Sequence, residues 1–154
     1  MSETIQYPYS KASGFLGVIV PLAFVGITFN NLRQSYLAGF TLSWILIAFA
    51  DLIFLSLLVY ILFQRLIPAL QNKIALKLDE EGITDHIRNI IISWGDIKDI
   101  NMESGRNSSK MVIDLKEETE YGKQITISLR WVEGKDLEIC ETAVAYFEEM
   151  TRLS

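Results

Sequence analysis

The residue whose setting most suggests chemistry is Asp51. It is the one charged position in an otherwise uncharged run over residues 37–63, LAGFTLSWILIAFADLIFLSLLVYILF. A carboxylate near the middle of a membrane span costs a few kcal/mol unless neutralised or paired, so Asp51 is expected to be protonated or hydrogen-bonded. Counting inward from the ends of the apolar runs puts it near the depth of Pro21, whose ring leaves the Gly17 carbonyl without its helical partner. A neutral Asp51 could donate to that carbonyl, to Thr28 or Ser56 at other depths, or to a neighbouring subunit. A proton or ion relay would need further ionisable residues within the spans, and the runs carry none. Asp51, Pro21 and Gly17 are therefore expected to form an intramembrane polar contact. A small transport or ion-sensing subunit titrating at Asp51 is the alternative.

The other chemistry-bearing residues stand apart from one another. His86 lies beside Asp85, a pair that could orient a general base, but no nucleophile accompanies it, which fits a surface turn. Cys140 falls on the apolar side of a periodic C-terminal segment, as an inert core thiol would. Trp94 and Trp131 are expected in sheet packing, and Glu117, Glu118 and Glu120 at a solvated hairpin tip. Arg106 and Lys110 flank a Ser/Asn-rich loop that could hold an anion, a plain solvated loop being the simpler reading. One cysteine and one histidine exclude an intramolecular disulfide framework and a Cys/His metal cluster. No glycine-rich phosphate loop, paired catalytic motif or metal-ligand spacing occurs. The expectation is a non-enzymatic chain with no catalytic residue, cofactor or metal.

The elements that must position these residues divide the chain in two. Of 154 residues, 50% are hydrophobic and 21% charged, with a net charge of −5 that argues against nucleic acid as a partner. Residues 14–29, GFLGVIVPLAFVGITF, carry no charge, and Ala12 and Ser13 extend them to a length that spans a ~30 Å hydrocarbon core. With the second run they predict a membrane hairpin in residues 1–69, with spans at about 12–30 and 38–63 and NNLRQSY, residues 30–36, as the turn. The segment before it, with one lysine, one glutamate and no A-x-A-like site, predicts an uncleaved anchor rather than a signal peptide. As buried core helices the two runs would need more chain to wrap them than remains. Lys11, Arg65, Lys73 and Lys77 flank the outer ends while only Arg33 lies in the turn, which predicts both termini in the cytoplasm. Tyr7, Tyr9, Tyr36 and Tyr60 fall where an interfacial aromatic belt is expected, and Ser13/Gly17 and Gly39/Ser43 have spacings that permit close helix approach.

Residues 70–154 read as a separate domain. After Pro68, which should end or kink the helix, alternating patterns predict about six short strands: 74–79, 83–86, 90–94, 97–102, 111–116 and 124–130. The last two, MVIDLK and QITISLR, look like an antiparallel pair. From residue 136 to 153 the period changes, placing Leu137, Cys140, Ala143, Val144, Phe147 and Met150 on one helical face. The class is α+β, a membrane hairpin followed by a small antiparallel β domain capped by a C-terminal helix.

The run LKLDEEGITDH followed by IIISWGDIKDI resembles the signature of small bacterial membrane proteins with two N-terminal transmembrane helices and a pleckstrin-homology-like (PH-like) domain. Asp79, Glu81, Gly82 and Ile83, then Ile92, Trp94, Asp96 and Ile97, stand at the matching positions, and the order of elements agrees over nearly the whole chain. The resemblance implies a small curved sheet capped by the final helix, in a multi-pass protein of the bacterial inner membrane with its domain in the cytoplasm. It supplies no catalytic residues. A phosphoinositide site would need converging Lys and Arg, yet the first strand turn is Asp79, Glu80, Glu81, and residues 71–154 carry eleven Lys/Arg against seventeen Asp/Glu. The leading expectation is therefore an interaction or assembly protein, with a protein partner or a second copy received at a strand edge or beside the C-terminal helix. A lipid-contacting adaptor using Arg65, Lys73 and Lys77 on anionic headgroups is a further alternative.

Overall fold

A computed structural model describes residues 4–38, 42–105, 109–119 and 121–153, and of residues 35–38, 42–44 and 153 the backbone only. The chain forms two units. Residues 11–71 make one, and residues 4–10 together with those from 72 onward make the other.

The first unit contains α1 (Lys11–Ala38), α2 (Leu42–Ile61), a π-helical turn (Leu62–Leu66) and α3 (Ile67–Leu70). Two helices are long and apolar enough to cross a membrane, over Lys11–Gln34 and Ile45–Leu70. Phe15, Leu16 and Ile19 on α1 and Leu46, Phe49 and Leu52 on α2 are exposed, so neither is the buried core helix of a water-soluble fold. So large an apolar surface is stable where hydrocarbon replaces water.

The turn expected at residues 30–36 is not there, because α1 runs on to Ala38. NNLRQSY contains neither Gly nor Pro, so nothing interrupts the helical ladder. Gly39 lies outside the described residues, as do the side chains of Tyr36 and Ser43. Pro68 does not stop the helix either. It has no N–H for the Gln64 carbonyl, and just before it the chain widens so that the Ile67 N–H reaches the Leu62 carbonyl five residues back. A further turn then carries the helix to Leu70.

Within this unit α1 and α2 are antiparallel. Gly14 meets Leu66 so closely that a Cβ there would lie 3.3 Å from Leu66 Cδ1 and 3.4 Å from its Cα. Farther along, the Phe24 and Phe54 rings stack with centroids 3.8 Å apart, and Thr28 reaches Asp51. Each advance along α1 matches a comparable retreat along α2. The close approach thus falls at Gly14, between the small residues Ser13 and Gly17.

The second unit holds seven strands and one helix: β1 (Ile5–Pro8), β2 (Ile74–Leu78), β3 (Gly82–Asp85), β4 (Ile90–Ser93), β5 (Ile97–Ser104), β6 (Ser109–Thr119), β7 (Gly122–Ser128) and α4 (Asp136–Leu153). They form a four-stranded sheet, β1-β2-β3-β4, and a three-stranded one, β5-β6-β7, antiparallel throughout. Leu76, Leu78, Ile83, Ile97, Met111, Ile113, Ile127, Leu129 and Ile139 are fully buried, joining strands of both sheets and α4 in the core.

The α+β class, the six expected strands and the terminal helix are all present. The N-terminal segment differs from expectation. Ile5 lies opposite Leu78, Gln6 opposite Lys77 and Tyr7 opposite Leu76. The Tyr9 N–H donates to the Lys73 carbonyl at 3.0 Å, Ser10 N–H to Trp131 at 2.8 Å and Glu133 N–H to Pro8 at 2.8 Å. The division at residues 69/70 is therefore corrected. The sheet unit begins before the helices, is interrupted after Ser10 and resumes at Asn72. Tyr9, 8% exposed, belongs to its core rather than to an interfacial belt.

Candidate functional site

The helix α4 starts with Asp136 and Glu138 in its first turn, where carboxylates suit the positive end of the helix dipole. It turns Ile139, Cys140, Ala143 and Tyr146 into the core. Leu137, expected on that face, is instead 56% exposed, because Ile139 takes the inward position in the first turn. With Val144 it faces a groove of about 360 Å³ between α4 and β5. Burial pushes the Cys140 thiol up from its ordinary range, and the Glu141 carboxylate adds to this, so the one cysteine is a poor nucleophile.

On its other side the groove is bordered by Ile100, Asn101 and Met102 of β5. Successive side chains of a strand point to opposite faces, so a cavity touching three in a row lies along the strand's edge. β5 is an edge of its sheet, and among the described residues its backbone bonds only to β6. One edge donor is engaged locally, since the Asp99 carboxylate accepts the Ile100 N–H at 2.9 Å and also holds the Asn101 amide. Among the described residues the groove-lining charges are Glu141 and Glu148, with no Lys or Arg.

The residues that carried the family resemblance converge on a structural turn. Asp79 Oδ1 accepts the Glu81 and Gly82 N–H groups at 3.0 and 3.1 Å, and Asp79 N–H bonds the Gly82 carbonyl at 3.1 Å. Trp94 is buried, stacks on Tyr146 with centroids 5.8 Å apart, and donates its indole N–H to the Asp79 carbonyl at 2.7 Å. Ile83, Ile92 and Ile97 are buried, while Glu81 and Asp96 face solvent.

The Lys77 ammonium, 2.6 Å from Asp79, holds that carboxyl below its ordinary range, helped by the Gly82 and Glu81 N–H groups, and Asp79 in turn raises Lys77. The carboxylate's contribution to stability is present above its unfolded pKa of about 3.9 and is lost as pH falls through the lower folded value. Lys77's contribution is present below about 10.4 and lost as pH rises through its raised value. Acid titration of unfolding is thus expected to show less loss of stability below about pH 4 for Asp79→Asn than for the wild type, with no difference in slope near neutrality.

Of the three cations expected at lipid headgroups, Lys77 is engaged by Asp79, Lys73 is exposed, and Arg65 is half-buried in the π-helical turn. Asp85 is 2% exposed and bonds the Ile87 N–H and Arg88 Nε, both at 2.9 Å, rather than the exposed His86. The side chains brought to His86 by sequence thus do not form a dyad. Arg106 and Glu120 lie outside the described residues. Among the described residues no three His, Cys, Asp or Glu side chains are grouped to hold a metal ion.

In the helical unit, Thr28 Oγ1 donates to Asp51 Oδ1. Of the partners named for Asp51, the Gly17 carbonyl freed by Pro21, Thr28 and Ser56, the one that meets it is Thr28, because α1 is longer than expected and Asp51 sits opposite a later turn. Ser56 bonds the Leu52 carbonyl of its own helix at 2.8 Å. Thr28 also lies 2.9 Å from the Phe24 carbonyl, so its hydroxyl keeps a partner without Asp51. Interhelical hydrogen bonds in membranes average ~0.6 kcal/mol, so Asp51→Asn and Asp51→Leu are expected to change hairpin stability by less than about 1 kcal/mol. Detergent-titrated unfolding with a fluorescent pair on α1 and α2 measures this.

Comparison with protein-family models, with curated proteins and with solved structures found no match.

Proposed function

We propose that this chain is a membrane-anchored, non-enzymatic interaction or assembly protein of the bacterial inner membrane, with a PH-like sheet unit and both termini in the cytoplasm. The observation that carries the reading is the groove between α4 and the edge of β5. Strand addition draws on backbone groups and shallow apolar pockets, and the edge of β5 beside Leu137 and Val144 offers both. Two antiparallel sheets and a C-terminal helix agree with the capped, curved sheet that the family resemblance implies. The pairing of β1 with β2 supports a hairpin whose two ends leave the membrane on one side, and Lys11, Arg65, Lys73 and Lys77 against Arg33 favour the cytoplasmic side.

Asp51 has a partner on the neighbouring helix, which favours a packing role over transport. Extraction in mild detergent followed by mass measurement of the intact complex tests the proposal. A stoichiometric partner or a homo-oligomer is expected, and a lone monomer contradicts it.

A further inference from the structure

We infer that the groove beside β5 receives an extended segment of a different protein, apolar at alternate positions and carrying Lys or Arg, which adds to the free edge of β5. This rests on the interaction reading above and specifies its site and the partner's chemistry.

Three observations on one surface converge. The first is the edge itself: among the described residues β5 has backbone pairing on β6 alone, and the cavity touches Ile100, Asn101 and Met102 in succession. A strand laid there would find the N–H and C=O groups that an edge offers. The second is an apolar wall. Leu137 and Val144, two turns apart on α4, face the cavity, and Leu137 stays 56% exposed although it is a large apolar side chain. From Leu137 to Glu148 the helix advances about 16 Å, which an extended peptide covers in about five residues. The third is charge. Glu141 and Glu148 border the cavity, and among the described residues that line it there is no Lys or Arg, Arg152 lying with Glu148 and Glu149 along an adjoining hollow one turn further on. An occupant with Lys or Arg two to four positions apart would pair with them.

Charge also separates the candidate occupants. A second copy would bring another acidic α4 against this one, in a chain of net charge −5, and like charges facing each other oppose that contact. Anionic lipid headgroups meet the same repulsion. A basic, apolar peptide is the occupant these groups attract.

The test uses the full chain in lipid nanodiscs and a displayed library of random ten-residue peptides, with empty nanodiscs removing lipid binders. The enriched peptides are expected to alternate apolar residues and to carry Lys or Arg. Their affinity should fall at least tenfold in the double variant Glu141→Lys/Glu148→Lys and in Val144→Trp, which fills the groove. It should stay unchanged in Glu118→Lys, at an exposed position on β6 outside the groove. Both glutamates are exposed, so the double variant tests the proposal even if Val144→Trp fails to fold. Enrichment of acidic peptides, binding indifferent to the groove variants, or no enrichment at all would overturn it. So would a groove variant that dissociates a homo-oligomer, which would mean a second copy fills the groove. A partner that copurifies undiminished with the double variant also overturns this inference while leaving the interaction reading standing. A lone wild-type monomer removes the interaction reading itself.

Discussion

A fragment of residues 72–154 is expected to fail to fold, whereas residues 4–10 joined to residues 72–154 by a short glycine-serine linker fold cooperatively. The fragment lacks β1, which turns β2 into an unpaired edge and removes Tyr9 from the core. Truncating one buried aromatic side chain typically costs about 3–5 kcal/mol, against the 5–15 kcal/mol by which small domains are stable. Loss of the β1–β2 pairing and of the bonds from Tyr9, Ser10 and Pro8 comes on top of that. The linker can be short, because the Tyr9 N–H already lies 3.0 Å from the Lys73 carbonyl. Thermal unfolding followed by circular dichroism separates the two proteins. A cooperative transition at the same temperature in both would contradict the discontinuous unit, and Tyr9→Ala in the linked protein should lower that transition markedly.

The second large effect is expected for Gly82→Ala. An added Cβ at this position would lie 2.0 Å from the Ile92 carbonyl oxygen and 2.8 Å from its carbon. These are backbone atoms of the neighbouring strand β4, which cannot rotate away as a side-chain tip could. Overpacking usually costs 1–3 kcal/mol, and a clash with rigid backbone belongs at about 3 kcal/mol or more. For a unit of this size that lowers the melting temperature by roughly 15 °C. The turn also carries the Asp79 carbonyl that receives the Trp94 indole, so near-ultraviolet circular dichroism from tryptophan should diminish together with stability. A melting temperature within two or three degrees of the wild type, on the order of a few tenths of a kcal/mol, would show that β4 is not packed against Gly82.

Much of this architecture was legible in the sequence because its signals are local. Strict alternation in MVIDLK and QITISLR marks β6 and β7, and the change of period after Asp136 marks α4. The four residues of β1 are too few to show a period, and their partners on β2 lie more than sixty residues away across the hairpin. Beside an apolar span the same tyrosine-bearing segment has the composition of a membrane interface, so sequence alone puts Tyr9 in a belt. The extent of α1 was obscured because a polar stretch between apolar runs resembles a turn, yet polar residues without Gly or Pro extend a helix readily. That extra length moved Asp51 from Gly17 and Pro21 to Thr28.

The groove was legible only as a place beside the C-terminal helix. Helical periodicity assigned Leu137 to the buried face along with Cys140 and Ala143. Only the packed structure distinguishes the inward Ile139 from the outward Leu137, and so reveals which wall of the groove is apolar. The strand edge left open was likewise invisible before the pairing was known, since any of several short strands could have ended a sheet.

Crosslinking in intact membranes, followed by detergent extraction and mass spectrometry, tests most directly whether this is an anchored interaction protein. Wild type, Asp51→Leu and Glu141→Lys/Glu148→Lys would be run side by side. The expected result is one discrete adduct with a second protein in the wild type, the same adduct in Asp51→Leu, because Asp51 meets Thr28 on the adjacent helix, and its loss in the groove variant. A wild-type chain recovered only as an uncrosslinked monomer would contradict it.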